Sequence, residues 1–248
     1  MKDLKVYKSY KKAYKNNEKK INKRFEKLKG KYGIMSEEYV LSSKDWEVYH
    51  ELNILRSILP LDSFTFRKYL QGYGMYAIVT RDWVRELVKW LDGRKVLEIM
   101  SGRGWIAKTV QEEGGHIIAT DNKSSYQDWK SKGSELSDIE NLSAVDAIKK
   151  YGKDVDFVLM AWPPYNEPQA ADVVKAIQKV NPDIKIIYIG ESEGGCTAND
   201  KFFELVTEIE DEEFESLNAY YNPYDSDVES GFIQLQDSIY LYEVGGDK

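Results

Sequence analysis

From about residue 70 onward, short apolar runs alternate with longer segments whose apolar positions recur every three or four residues. The first pattern is that of buried strands and the second of helices with one apolar face, so their alternation predicts crossover units around a mostly parallel sheet. A helix is expected from about Thr80 to Leu91, ending near Gly93, then a strand Lys95–Met100, a helix Trp105–Glu113, a strand His116–Asp121 and a short strand near Ile139–Leu142. Ser143, with Asp146 three residues on, reads as the cap of a helix through Lys150. Val155–Met160 and Ile184–Ile189 read as buried strands on either side of a helix Ala170–Val180. Asn199–Ile209 reads as a helix, and Phe214–Tyr221 and Ser238–Val244 as closing strands.

Before this region the period is helical. Tyr7, Tyr10, Tyr14, Ile21, Phe25 and Leu28 share one face up to Gly30 and Gly33. Ser43 is placed to cap a second helix, whose apolar face carries Trp46, Tyr49, Leu52, Leu55 and Leu59 up to Pro60. The chain therefore divides into a helical region, residues 1–67, and an α/β domain, residues 68–248.

Charge changes this picture at one end. The net charge is -7, yet residues 1–32 hold 13 Lys/Arg against three acidic residues, a balance of +10, and the remainder holds 22 basic and 39 acidic residues, a balance of -17. Lysines interleaved with tyrosines fit RNA or DNA, since lysines neutralise phosphates and aromatics stack on bases. The same lysines can instead pair with the acidic remainder. The start of the chain lacks an apolar stretch of signal-peptide length and no run reaches a bilayer span, so no membrane association and a cytoplasmic location are expected. One cysteine, Cys196, and two histidines, His50 and His116, cannot make a histidine/cysteine zinc site, and no metal is expected. Both histidines read as structural.

Candidate chemistry begins where the first strand ends. In VLEIMSGRGW, Glu98, Ser101, Gly102 and Gly104 form a turn between strand and helix, where missing β-carbons let backbone approach a ligand. Asp121 ends the next strand, 23 residues after Glu98, where a carboxylate can accept bonds from two ribose hydroxyls. Only Gly102 and Gly104 are glycines and position 107 is alanine, so the turn departs from the G-x-G-x-x-G pattern of dinucleotide sites. The second candidate is Trp162-Pro163-Pro164-Tyr165, which follows a strongly apolar strand; its prolines fix the backbone and remove two amide donors, leaving carbonyl oxygens that can point at a substrate.

In order and spacing these motifs resemble class I S-adenosylmethionine-dependent methyltransferases. Glu98 to Gly104 looks like their first motif, Asp121 like their ribose-binding acid, and Trp162 to Tyr165 like the (Asp/Asn/Ser)-Pro-Pro-aromatic motif of members that methylate amino groups. The resemblance covers about residues 70–245. It implies a Rossmann-like, doubly wound, mostly parallel seven-stranded sheet with the last strand antiparallel. It also implies S-adenosyl-L-methionine as cofactor, held by Tyr76, Glu98, Met100, Ser101, Gly102, Gly104, Asp121, Asn122, Ser143 and Ala144. Met100 stands where a glycine is often found.

The implied catalytic residues are Trp162, Pro163, Pro164, Tyr165 and Glu191. Trp162 departs from the motif, because an indole donates one hydrogen bond and accepts none, whereas the polar residue usual there accepts from the amino group. Trp162 and Tyr165 can instead stack on a flat or cationic substrate, and Glu191 or Glu193, in the glycine-rich segment after the next strand, can supply the missing acceptor. Cys196 lies in the same segment, and nothing nearby marks it as an activated thiolate. The expected function is methyl transfer to an amino group, on a nucleic-acid base such as adenine or on protein. The alternatives are a methyltransferase for a small molecule or an oxygen, carbon or sulfur nucleophile, and a non-catalytic module that binds the cofactor or nucleic acid.

Overall fold

A computed structural model describes residues 71, 74–124, 135–221 and 236–245. The helical region expected over residues 1–67, its boundary with the following domain, and His50 lie outside the described residues. The elements run α1 (Arg81–Leu91), β1 (Lys95–Ile99), α2 (Trp105–Glu112), β2 (His116–Asp121), β3 (Ile139–Asn141), α3 (Ala144–Tyr151), β4 (Phe157–Ala161), α4 (Gln169–Val180), β5 (Lys185–Gly190), α5 (Asp200–Leu205), β6 (Val206–Glu208), α6 (Glu212–Glu215), α7 (Asn218–Tyr221) and β7 (Ser238–Val244).

The strands form one sheet in the order β3-β2-β1-β4-β5-β7-β6. β1 to β5 pair in parallel, while β7 runs antiparallel to both β5 and β6. This is the Rossmann-like sheet expected above. Both faces of β1 are covered: Val96 packs with Trp83, Val84 and Leu87 of α1 on one face, and Leu97 packs with Ile148 of α3 and Val174 of α4 on the other. A strand covered on both faces carries no polar alternation.

Local signals account for several element ends. The Ser143 hydroxyl accepts from the Asp146 N–H and donates to the Asp146 carboxylate at 2.7 Å, which caps α3. Asn199 caps α5 in the same way, accepting from the Phe202 N–H at 3.0 Å.

Two expectations fail near the C-terminal end. The helix expected over 199–209 stops at Leu205, and Val206–Glu208 joins the sheet as β6, antiparallel to β7. The segment 214–221, read as a strand, instead forms α6 and α7. Phe214, Leu217 and Tyr221 are three and four residues apart, so helical turns put all three on one buried face; a strand would have split them between faces. Asp211 starts this run by accepting from the Phe214 N–H at 2.9 Å.

The connections after β1 and β4 leave neighbouring strands, in register at Ile99 and Met160, toward opposite sides of the sheet. Such a switch point opens a crevice at the carboxyl ends of the strands. That crevice contains the site.

Candidate functional site

Beyond Ile99 the chain turns through Met100 (φ 53°), Gly102 (φ 59°) and Gly104 (φ 80°) before α2 begins at Trp105. This turn is tied to the end of β2: the Ser101 N–H donates to the Thr120 carbonyl at 3.1 Å, and the Gly102 N–H to Asp121 Oδ2 at 2.9 Å. The Lys123 N–H donates to the other carboxylate oxygen at 2.5 Å. Asp121 is buried, and desolvation holds its carboxyl above the ordinary value despite those two donors and the nearby Lys123 ammonium.

Glu98 lies deeper. Its Oε2 accepts from the Ala107 N–H in α2 at 3.0 Å. Complete burial pushes its pKa up to about 8; the Ala107 bond opposes that shift and the neighbouring Asp121 adds to it. At neutral pH Glu98 is therefore mostly protonated, a neutral group able to donate.

Both strands that flank the crevice end on a non-glycine residue with left-handed backbone, Met100 after β1 and Trp162 (φ 52°) after β4. Such a conformation costs an L-residue about 1–2 kcal/mol. Here the surroundings hold each in place. The Met100 side chain packs with the core beneath α3 and α4, and the Trp162 N–H donates to the Ile189 carbonyl of β5 at 2.7 Å.

A cavity of about 390 Å³ lies over these strand ends. Among the residues expected to hold the cofactor, Tyr76, Glu98, Met100, Ser101, Gly102, Asp121, Asn122, Ser143 and Ala144 line it, and Gly104 does not. A β-carbon on Gly104 would stand 3.0 Å from Ile139 Cδ1 and 3.1 Å from Ser137 Cβ, so this glycine lets the start of α2 pass close to β3. The Ser101 hydroxyl is buried at the cavity and has no hydrogen-bond partner among the described residues.

The expected catalytic residues divide. Trp162 and Pro164 line the cavity; Pro163, Tyr165 and Glu191 do not. Pro163 is buried and its carbonyl accepts from the Ala198 N–H at 3.1 Å, so the oxygen expected to face a substrate instead ties this turn to the loop after β5. Tyr165 is 63% exposed. Glu191 folds back on its own loop, its Oε2 accepting from the Cys196 N–H at 2.7 Å while Thr197 Oγ1 accepts from the Glu191 N–H at 2.8 Å. Glu193 and Cys196 are exposed and lie off the cavity, and His116 is exposed at the opposite end of β2.

Some contributors were not anticipated. Gln169 and Asp172, at the start of α4, line the cavity and bring acceptor oxygens to it on the same connection as Trp162. Their spacing of three residues just behind the Pro-Pro pair was a usable sign, since it places both on one helix face. The Trp162 indole N–H donates to Asp237 Oδ2 at 3.0 Å, and the Tyr221 hydroxyl donates to the same oxygen at 2.5 Å. Nothing in the sequence marked Asp237 among the many acidic residues of its stretch. Among the described residues, no group of three or more His, Cys, Asp or Glu is arranged to hold a metal ion, and no helix is long and apolar enough to cross a membrane.

No family model matches the chain, and none of the curated proteins compared with it does. Solved structures that it resembles include a TehB-like SAM-dependent methyltransferase from Corynebacterium glutamicum, at 14% identity over 72% of this chain and 97% of that one, with a TM-score of 0.43. Another is a SAM-dependent methyltransferase from Archaeoglobus fulgidus, at 13% identity over 73% of this chain and 99% of that one, with a TM-score of 0.38. A third is TrmN from Thermus thermophilus, at 12% identity over 71% of this chain and 52% of that one, with a TM-score of 0.41.

Proposed function

We propose that this chain is an S-adenosylmethionine-dependent methyltransferase whose acceptor nucleophile is an amino nitrogen. One observation carries the reading: Asp121 at the end of β2 and Trp162 and Pro164 after β4, distant in sequence, line a single cavity at the carboxyl ends of the central strands. The lining fits the cofactor. Asp121 offers carboxylate oxygens to ribose hydroxyls, and the Ser101 hydroxyl is a buried polar group still open to a partner. Ser143, Ala144 and Val145 would hold the adenine end, and Gly102 and Met100 the methionine end. Bound there, the cofactor supplies an electrophilic methyl group on a sulfonium.

The protein's own contribution is orientation and exclusion of water. Trp162 and Tyr76, whose rings lie 6.3 Å apart, wall the acceptor end, and Gln169 and Asp172 bring acceptor oxygens that can turn an amino lone pair toward the methyl. These two replace the acceptors that Trp162 and the engaged Pro163 carbonyl do not provide. The acceptor class proposed is an amino group on a nucleic-acid base, such as adenine, or on a protein, with the basic residues 1–32 attracting phosphates from RNA or DNA. A small-molecule acceptor is the second reading, favoured by the lining itself: its ionisable side chains are the carboxyl groups of Glu98, Asp121 and Asp172, with no lysine or arginine among the described residues. The setting proposed is the cytoplasm, from the single cysteine.

Calorimetry tests the cofactor assignment. S-adenosylmethionine and its demethylated product are expected to bind in the micromolar range, about -8 kcal/mol. Binding of NAD with no heat from either of these would overturn it. Transfer of labelled methyl to polynucleotide, protein or small amines then separates the acceptor classes.

A further inference from the structure

We propose that Asp237 is a positioning residue for methyl transfer: with Tyr221 it locks the Trp162 indole in place, so that this ring meets the acceptor through its flat face. The inference rests on the cavity's reading as a methyl-transfer site and adds a residue to it.

The geometry is a short relay from core to cavity. Tyr221 is buried and packs edge-on against Trp83, their ring centroids 5.6 Å apart, which fixes its hydroxyl. That hydroxyl donates to Asp237 Oδ2, and the same oxygen accepts from the Trp162 indole N–H at 3.0 Å. Asp237 is fully buried, and its backbone is set by the next residue, Ser238, which pairs with Gly190 at the end of β5. Trp162 is thus held from two sides: its main chain is bonded to β5, and its indole to the residue that leads into β7.

This arrangement decides what the ring can do. An indole has one donor and no acceptor, so with its N–H directed at Asp237 it has no conventional hydrogen bond to give a substrate. The ring itself lines the cavity beside Tyr76 and Pro164 and presents a planar surface for recognition. A planar ring bearing the amino group fits two such surfaces, whether it comes from a free base or nucleoside or from a polynucleotide. Asp237 touches the ring and not the acceptor, so its effect is on aim.

The test uses the full chain, labelled with nitrogen-15 and saturated with S-adenosylhomocysteine, with the Trp162 indole N–H resonance assigned through Trp162→Phe. Cytidine, adenosine and oligoadenylate are titrated as ring probes. In the wild type the indole proton is expected to exchange slowly and its resonance to shift saturably with a ring probe. Asp237→Asn keeps an acceptor oxygen and is expected to retain both properties. Asp237→Ala is expected to speed exchange and weaken the probe response by at least about tenfold, the loss of one well-made hydrogen bond. Tyr221→Phe is expected to fall between. A response to the monomers identifies a small acceptor, and a response to oligoadenylate alone a polynucleotide.

The assignment is overturned if Asp237→Ala leaves exchange and probe response unchanged, if Asp237→Asn fails as badly as Asp237→Ala, or if no ring probe moves the wild-type resonance. Failure of the wild type to bind S-adenosylhomocysteine would instead remove the methyltransferase reading, while slow exchange in wild type but not in Asp237→Ala would still establish the lock.

Discussion

The Gly102 N–H donates to Asp121 Oδ2 at 2.9 Å, joining the turn after β1 to the acid that ends β2. A glycine in left-handed conformation and a buried carboxylate thus form one unit, and the cavity floor depends on both. Replacing Asp121 by Ala removes the proposed ribose acceptor and leaves the Gly102 and Lys123 N–H groups without theirs. Affinity for S-adenosylhomocysteine is expected to fall by about 1.5–3 kcal/mol. Calorimetry on the folded variant measures it, and an unchanged dissociation constant would place the ribose elsewhere.

Glu98 makes stability depend on pH. Its folded pKa, about 8, lies above the ordinary 4.5, so between these values the folded state holds a proton that the unfolded state has released. Its contribution is present in full below about pH 4.5 and is lost as pH rises through about 8. Glu98→Gln, which mimics the protonated form and keeps an acceptor for Ala107, is expected to flatten this decline. Thermal melts of both proteins from pH 5 to about 9 compare the slopes; parallel curves would mean that Glu98 ionises freely in the fold.

Gly104 is predicted to matter for packing rather than for the ligand. Its φ of 80° disfavours a side chain, and a β-carbon would press on Ile139 and Ser137. Gly104→Ala is expected to destabilise the protein by about 1–3 kcal/mol in denaturant melts. Cofactor affinity per folded molecule is expected to stay unchanged, and a large loss of affinity with normal stability would contradict this.

Trp162 and Tyr165 come from one motif but are expected to behave differently. Trp162 lines the cavity and Tyr165 is mostly exposed. Trp162→Ala is expected to lower turnover by about ten- to a thousandfold with cofactor affinity within about threefold of wild type. Tyr165→Ala is expected to cost far less with a small acceptor. Equal losses in the two variants would show that Tyr165 reaches the acceptor.

The basic residues 1–32 are expected to contribute to nucleic-acid binding. Mobility shifts at several salt concentrations, comparing the full chain with one beginning at Lys68, measure the contribution. Weaker binding and a shallower salt dependence on truncation are expected. Equal affinity for both chains would assign the lysines to contacts within the protein.

The sequence alone determined the order of strands and helices through β5, the turn after β1, the cap at Ser143 and the positions of Asp121 and Trp162 at strand ends. Each follows from local rules: burial on both faces erases polar alternation, a helix needs a cap, and a turn needs left-handed backbone. Local rules also misled where two outcomes shared one composition, as in Phe214–Tyr221, whose aromatics suit strand or helix and were settled by the buried face against Trp83 and Trp90. Tertiary structure alone decided which polar atoms remained for chemistry. It turned Glu191 onto Cys196, joined the Pro163 carbonyl to Ala198, drove Glu98 toward its neutral form and brought Asp237 to Trp162 across 75 residues. A sequence pattern records backbone conformation over a few residues, whereas a side chain's partner and its protonation depend on what the closed fold packs around it.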